Sequence, residues 1–307
     1  MMSSGECPYC ALAEKKGELY CSRHSANMDG LKSGVFVIRA AEIPECDYHI
    51  TRLAINVNFT GSQQYNAGGR DFTIKPGRML IINERQLFKT RLRAAQPNLS
   101  ATFAFQVGLA SKLKREINGG CFVHPEELQD EDQVEFIEKT YDVSMSMNSQ
   151  MQSIISRAPH LESWELDESM ESLLIELLEL NKKTESEILS IDKVKVSTRK
   201  EVYRRLHWAN EFIHDNFHKS ITIDDVASYA CLSPFHFKRL FKVYFRVSPH
   251  QLIIQLRLNN AIALLKEDVM IKDICTAIGW QDSSSFIRSF KRTFNMTPEA
   301  YRRMYHK

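Results

Sequence analysis

The sequence contains one stretch that occurs twice. Phe237-Lys238-Arg239-Leu240-Phe241-Lys242-Val243-Tyr244-Phe245-Arg246-Val247-Ser248-Pro249 matches Phe286-Ile287-Arg288-Ser289-Phe290-Lys291-Arg292-Thr293-Phe294-Asn295-Met296-Thr297-Pro298 at a constant offset of 49, with Phe, Arg, Phe, Lys, Phe and Pro coinciding and Ser248 paired with Thr297. Upstream, Asp225-Val226-Ala227 aligns with Asp273-Ile274-Cys275 at an offset of 48, so the second copy carries one extra residue in its turn. A chain with this register must build the same small unit twice.

Each copy reads as a short amphipathic helix, a tight turn, and a second helix with one buried and one basic face, which is the pattern of a helix-turn-helix. In the first copy, Ile223–Ala230 is the supporting helix and Cys231-Leu232-Ser233-Pro234 the turn. Ser233 is its N-cap and Pro234 the first helical residue, where the missing N–H costs nothing. Phe237, Leu240, Phe241 and Tyr244 then lie at core spacing, while Phe235, Lys238, Arg239 and Lys242 repeat that spacing on another face. In the second copy, Ile271–Ile278 supports, Gly279-Trp280-Gln281 turns, and Asp282 or Ser283 caps. Phe286, Phe290 and Phe294 anchor the helix and leave Ser284, Arg288, Lys291 and Arg292 available. Leu252–Leu265 is a helix between the copies that ties both into one core.

Charge separates along the chain. Residues 199–307 hold 18 Lys and Arg against 10 Asp and Glu, a balance of +8, and residues 1–198 hold 22 against 28, a balance of −6, which together give the formal +2 of the 307-residue chain. A basic third gains free energy by releasing counterions from a polyanion. Two helix-turn-helix units in one chain are suited to successive major grooves of double-stranded DNA, roughly 34 Å apart. Arg pairs bidentately with guanine, which makes Arg239 and Arg288 the strongest candidates for base contact. Lys238, Lys242, Lys291 and Arg292 serve equally as phosphate contacts that position without specifying sequence.

Residues 220–305 resemble the DNA-binding domain of the AraC/XylS family of bacterial transcription regulators. The resemblance runs through Leu232-Ser233-Pro234-Phe235-His236-Phe237-Lys238-Arg239-Leu240-Phe241-Lys242, Ser248-Pro249-His250-Gln251, Arg257-Leu258 and Ala261, Ile278-Gly279-Trp280, Ser285-Phe286-Ile287-Arg288-Ser289-Phe290-Lys291, and Thr297-Pro298-Glu299-Ala300-Tyr301-Arg302. It implies recognition helices near 234–244 and 283–293. The candidate DNA contacts are then Phe235, His236, Lys238, Arg239, Lys242, Ser283, Ser284, Ile287, Arg288, Lys291 and Arg292. It also implies RNA polymerase as a partner and a role in activation, although the residues leave activator and repressor open. Two departures stand out: Cys231 replaces a usual turn glycine, and Trp280 a common phenylalanine. Cys231 puts a side chain where a left-handed backbone is expected, which predicts local strain.

The expected fold class is α+β, with an N-terminal cupin-like β-barrel, a helical dimerisation segment and the all-α C-terminal domain. Short apolar or alternating runs at 35–38, 53–59, 71–74, 79–82 and 100–107 read as strands, punctuated by Gly68-Gly69-Arg70 and Lys75-Pro76-Gly77-Arg78. The segment Gly69–Asn83 resembles the cupin-type sensor of many family members, which implies a small-molecule effector of unknown identity. Enzymatic cupins bring several His and Glu together on a metal, whereas His49 stands nearly alone within 35–110, so a metal-dependent enzyme is not expected. Leu166, Met170, Leu173, Leu177 and Leu180 recur at 4-3-4-3 spacing. That stripe either forms a homodimer seam or packs onto its own β domain. The expected divisions are an N-terminal segment at 1–34, a regulatory and dimerisation domain at 35–180, a polar linker at 181–198 and the DNA-binding domain at 199–307.

The seven cysteines are an odd number, which argues against a disulfide framework. Cys7, Cys10, Cys21 and His24 form a C-x2-C-x10-C-x2-H pattern that can supply four ligands to zinc, with a thiol redox sensor and an inert tail as the alternatives. No other cofactor is expected. At 43% hydrophobic and 25% charged residues, the composition excludes disordered and collagen-like classes. No apolar run reaches the roughly 18 residues of a membrane span, and Met1–Glu6 lacks the start of a secretion signal, so a cytoplasmic location away from membranes is expected.

Overall fold

A computed structural model describes residues 19–21, 33–49, 52–119, 133–158, 160–191, 196–267 and 269–305. The chain divides into two compact units at Ser190 and Ile191.

Among the described residues, eight antiparallel strands form the sheet of the N-terminal unit: β1 Leu19–Cys21, β2 Gly34–His49, β3 Ala54–Asn58, β4 Gln63–Ala67, β5 Arg70–Ile74, β6 Arg78–Ile82, β7 Leu87–Ala104 and β8 Thr140–Asp142. They run in the order β1-β2-β7-β3-β6-β8, with the β4–β5 hairpin also placed on β7. β7 organises this sheet. Its 18 residues pair along one side with β2, and on the other with β4 over Phe88–Arg91 and with β3 over Ser100–Ala104. β2 keeps step through irregularities between Ala40 and Glu42 and between Ile43 and Cys46, as extra residues in a ladder allow.

Among the described residues no pairing joins β1 to β8, so the sheet is open where a closed barrel was expected. The long strands explain the difference. The expected runs at 35–38 and 100–107 catch only one end of β2 and of β7, which extend through mixed polar and apolar residues at 39–49 and 87–99, and β7 itself stops at Ala104. The hairpin strand β4 also lies outside the expected set, because Gln63-Gln64-Tyr65-Asn66-Ala67 is too polar for a hydrophobicity pattern to reveal, although it buries Gln63, Tyr65 and Ala67 in alternation.

Among the described residues of this unit there are three helices: α1 Leu109–Ile117, α2 Met145–Arg157 and α3 Ser163–Leu189. They cover one face of the sheet. Ile55, Val57, Met79, Ile81, Ala101, Phe103 and Phe105 form a single core with Leu113 of α1, Met147, Met151 and Ile154 of α2, and α3. The 4-3-4-3 stripe is α3's part of that core: Leu166 is 3% exposed, Met170, Leu173 and Leu177 are fully buried, and Leu180 packs at its margin. Four of the five side chains read as a dimer seam are therefore enclosed by their own domain, each gaining about 1.5–3 kcal/mol from burial. α3 also runs through the first half of the expected linker. Asn181 and Thr184 keep the stripe's spacing and stay buried, with Thr184 Oγ1 donating back to the Leu180 carbonyl, so polar side chains concealed a continuing helix.

The C-terminal unit is all-α: α4 Val196–Asn216, α5 Ile223–Tyr229, α6 Pro234–Phe245, α7 Pro249–Leu265, α8 Ile271–Ala277, α9 Ser283–Phe294 and α10 Pro298–Tyr305. Every helix expected at 220–305 is present, with its ends within a few residues. No helix among the described residues is long and apolar enough to cross a membrane.

Candidate nucleic-acid interface

The two helix-turn-helix units close their turns in the same way. After α5, the Cys231 N–H donates to the Ser228 carbonyl at 3.0 Å and the Leu232 N–H to the Ala227 carbonyl at 2.9 Å; after α8, the Gly279 N–H donates to Thr276 at 3.1 Å and the Trp280 N–H to Cys275 at 2.8 Å. Both are Schellman closures, which require a left-handed residue immediately after the helix. Gly279 adopts that conformation at φ 73°, and Cys231 does so at φ 52° despite its side chain. The strain expected at Cys231 therefore has a geometric basis. Gly279 has no such latitude, because a Cβ there would collide with the His218 carbonyl oxygen.

The recognition helices start differently. Ser233 has the extended backbone of an N-cap, but its side chain makes no capping hydrogen bond, and Pro234 at the first helical position leaves one N–H fewer to satisfy. In the second unit Asp282 is the cap: its carboxylate accepts from the Ser285 N–H at 2.7 Å, which places Ser283 inside the helix. Hydrogen bonds from the Ser285 N–H and hydroxyl hold the Asp282 carboxyl below its ordinary pKa. Asp225, in the capping box of α5, is lowered by the N–H and hydroxyl of Thr222.

Each recognition helix then sorts its side chains by face. Phe237 and Phe241 are fully buried in α6, as are Phe286 and Phe290 in α9, with ring centroids 5.3 and 5.7 Å apart in edge-on pairs. Leu240, Tyr244 and Phe294, also expected in the core, are only half-buried. On the open face of α6 stand Phe235, 74% exposed, with exposed His236, Lys238, Arg239 and Lys242. On α9, Ser284, Arg288, Lys291 and Arg292 are exposed, and Ser283 and Ile287 are half-buried. Arg288 Nη2 donates to Ser285 Oγ at 3.2 Å, which steadies its guanidinium beside the helix start. The expected contact residues thus fall on one open, predominantly basic face of each helix.

Sequence reasoning missed the braces behind these helices. α4 packs Val202, Leu206, Ala209 and Ile213 inward at 4-3-4 spacing, a pattern legible in hindsight. Its Arg205 donates to Glu201 at 2.6 Å and to the Cys231 carbonyl at 2.8 Å, which ties α4 to the strained turn. Burial pushes the Glu201 carboxyl up, and hydrogen bonds from Arg205 and Arg204 outweigh that and hold it low. Arg257 donates to the carbonyls of Phe217 and Lys219 at 2.6 and 2.8 Å, so its charge secures the loop before α5. Burial lowers its pKa from the ordinary arginine value.

Cys7, Cys10 and His24 lie outside the described residues, and of Cys21 only its place in β1 is described. Among the described residues, no group of three His, Cys, Asp or Glu could hold a metal ion.

Comparison with known proteins agrees with this geometry. A family described as a helix-turn-helix domain matches residues 226–304. The regulatory protein PocR of Salmonella typhimurium is 33% identical over 95 residues, which cover 31% of this chain and 31% of PocR. The melibiose operon regulatory protein of Escherichia coli is 32% identical over 94 residues, covering 30% of this chain and 31% of that protein. The chain thus spans about a third of the length of these relatives. Among solved structures, a transcriptional regulator with an AraC-type DNA-binding domain from Chromobacterium violaceum is 30% identical, with 33% of this chain and 91% of that one covered at a TM-score of 0.31. The paired units within residues 226–304 are a helix-turn-helix domain.

Proposed function

We propose that the protein is a sequence-specific transcription regulator that reads two successive major grooves of double-stranded DNA with α6 and α9. The observation that carries this reading is the duplication itself: two helices with the same buried phenylalanines and the same open, basic face, each behind the same turn closure. Arg239 and Arg288 read base edges. Lys238, Lys242, Lys291 and Arg292 hold phosphates, and Phe235, His236, Ser283, Ser284 and Ile287 complete the contact surface.

In this reading the N-terminal unit is a cupin-like sensor whose small-molecule effector sets DNA affinity, RNA polymerase is the downstream partner, and the protein catalyses nothing. A homodimer would use a surface other than the enclosed side of α3. The melibiose operon regulatory protein and PocR are named as regulators, which supports a regulatory role for a chain with the same domain.

The test is DNA binding by Arg239→Ala and Arg288→Ala. Each is expected to cost about 1–3 kcal/mol on the target sequence and to relax preference at one base position. An equal loss on target and scrambled DNA would mean that these arginines meet only phosphate.

A further inference from the structure

Matching α6 to α9 residue by residue, at the offset of 49, separates what the two helices share from what they do not. Arg239 pairs with Arg288 and Lys242 with Lys291, so both open faces carry the same arginine and the same lysine. The first turn differs. Phe235 and His236 of α6 stand where α9 has Ser284 and Ser285. Those two serines have unlike duties: Ser285 Oγ accepts from Arg288 at 3.2 Å, whereas Ser284 is exposed. The copies therefore offer the same cations to a partner but different groups at the helix start.

Phe235 is the side chain that sets α6 apart. It is 74% exposed, against complete burial of Phe237 and Phe241 on the same helix. The ring of exposed His236 lies tilted beside it at a centroid distance of 6.2 Å. Phe235 follows Pro234 at the start of α6, and the N-terminal residues of a recognition helix are those that meet base edges. Arg239 comes four residues later, which puts the ring and the guanidinium on one face of the helix. A phenylalanine ring has no polar atom with which to hold a phosphate or to pair with a donor or acceptor on a base. The apolar group that bases present in the major groove is the C5-methyl of thymine.

We propose that Phe235 is a specificity-determining residue whose ring reads the methyl group of a thymine next to the base met by Arg239. This rests on the reading of α6 and α9 as recognition helices and names what one of them recognises. α9 has no equivalent contact, because the hydroxyl of Ser284 at the paired position both donates and accepts and so suits several bases. The two half-elements of the target are then unlike, although the helices that read them are copies.

The test deletes the methyl alone. A target selected by the full-length protein from random-sequence DNA is remade with uracil in place of one thymine at a time, and Kd is measured for wild type and for Phe235→Ala. At one position uracil is expected to weaken wild type about fourfold, the worth of one buried methyl, and to leave Phe235→Ala unaffected. Each protein is compared with itself on the two DNAs, so any loss of folded protein in the variant cancels. The proposal is overturned if wild type binds every uracil-containing target as tightly as the original, or if the uracil that weakens wild type weakens Phe235→Ala by the same factor. Selection that yields no preferred sequence would overturn the sequence-reading account itself and this assignment with it. A preferred sequence that is indifferent to every methyl would overturn this assignment and leave that account standing.

Discussion

Cys231 and Gly279 occupy the same position in two copies of one turn, and they make opposite predictions. A left-handed backbone costs an L-residue roughly 1–2 kcal/mol, and glycine gives back about 0.5–1 kcal/mol through its looser unfolded chain. Cys231→Gly should therefore raise stability by up to about 1 kcal/mol, read as a higher Tm. Gly279→Ala should lower it by more than about 1 kcal/mol, because it adds a Cβ both at positive φ and against the His218 carbonyl. Equal effects of the two changes would show that the turns are not equivalent. Asp282 makes a prediction in pH. Its folded pKa is depressed, so the cap's contribution is present above the ordinary aspartate range and disappears as pH falls through and below it. The Tm gap between wild type and Asp282→Ala should be widest near neutral pH and close in acid. A gap that does not change with pH would mean that the carboxylate does not cap α9.

The helices were legible wherever phenylalanine and leucine carried the period, as in α6, α7 and α9. They were obscured where polar residues continued it: α3 runs through Asn181 and Thr184, and no hydropathy pattern marks those as buried positions. Strands suffered more, since Gln63 at the start of β4 is buried and a one-sequence reading assigns glutamine to the surface. At this scale α3 and α9 can be tested by core truncation. Leu173→Ala should cost about 2–5 kcal/mol and destabilise the N-terminal unit while leaving the oligomeric state unchanged by analytical ultracentrifugation. A dissociated but equally stable protein would show instead that the stripe meets a partner. Phe286→Ala should cost about 3–5 kcal/mol and weaken DNA binding only through loss of folded protein. Its removal leaves the exposed face of α9 chemically intact.

For the whole chain, the near-neutral net charge conceals a basic third, and the repeat at an offset of 49 gives that third its architecture. These features made the DNA-binding domain readable from the sequence alone. The interior of the N-terminal unit was not readable, because which face of β3 and β7 is sealed depends on strands distant in sequence. The measurement that tests the central claim most directly is selection of bound fragments by the full-length protein from a fragmented library of its source genome, with affinities compared against scrambled DNA. The account predicts a shared motif with two half-elements about one helical turn apart. Fragments bound no more tightly than scrambled DNA, with affinity that varies only with salt, would contradict it: α6 and α9 would then be holding phosphates and reading no sequence.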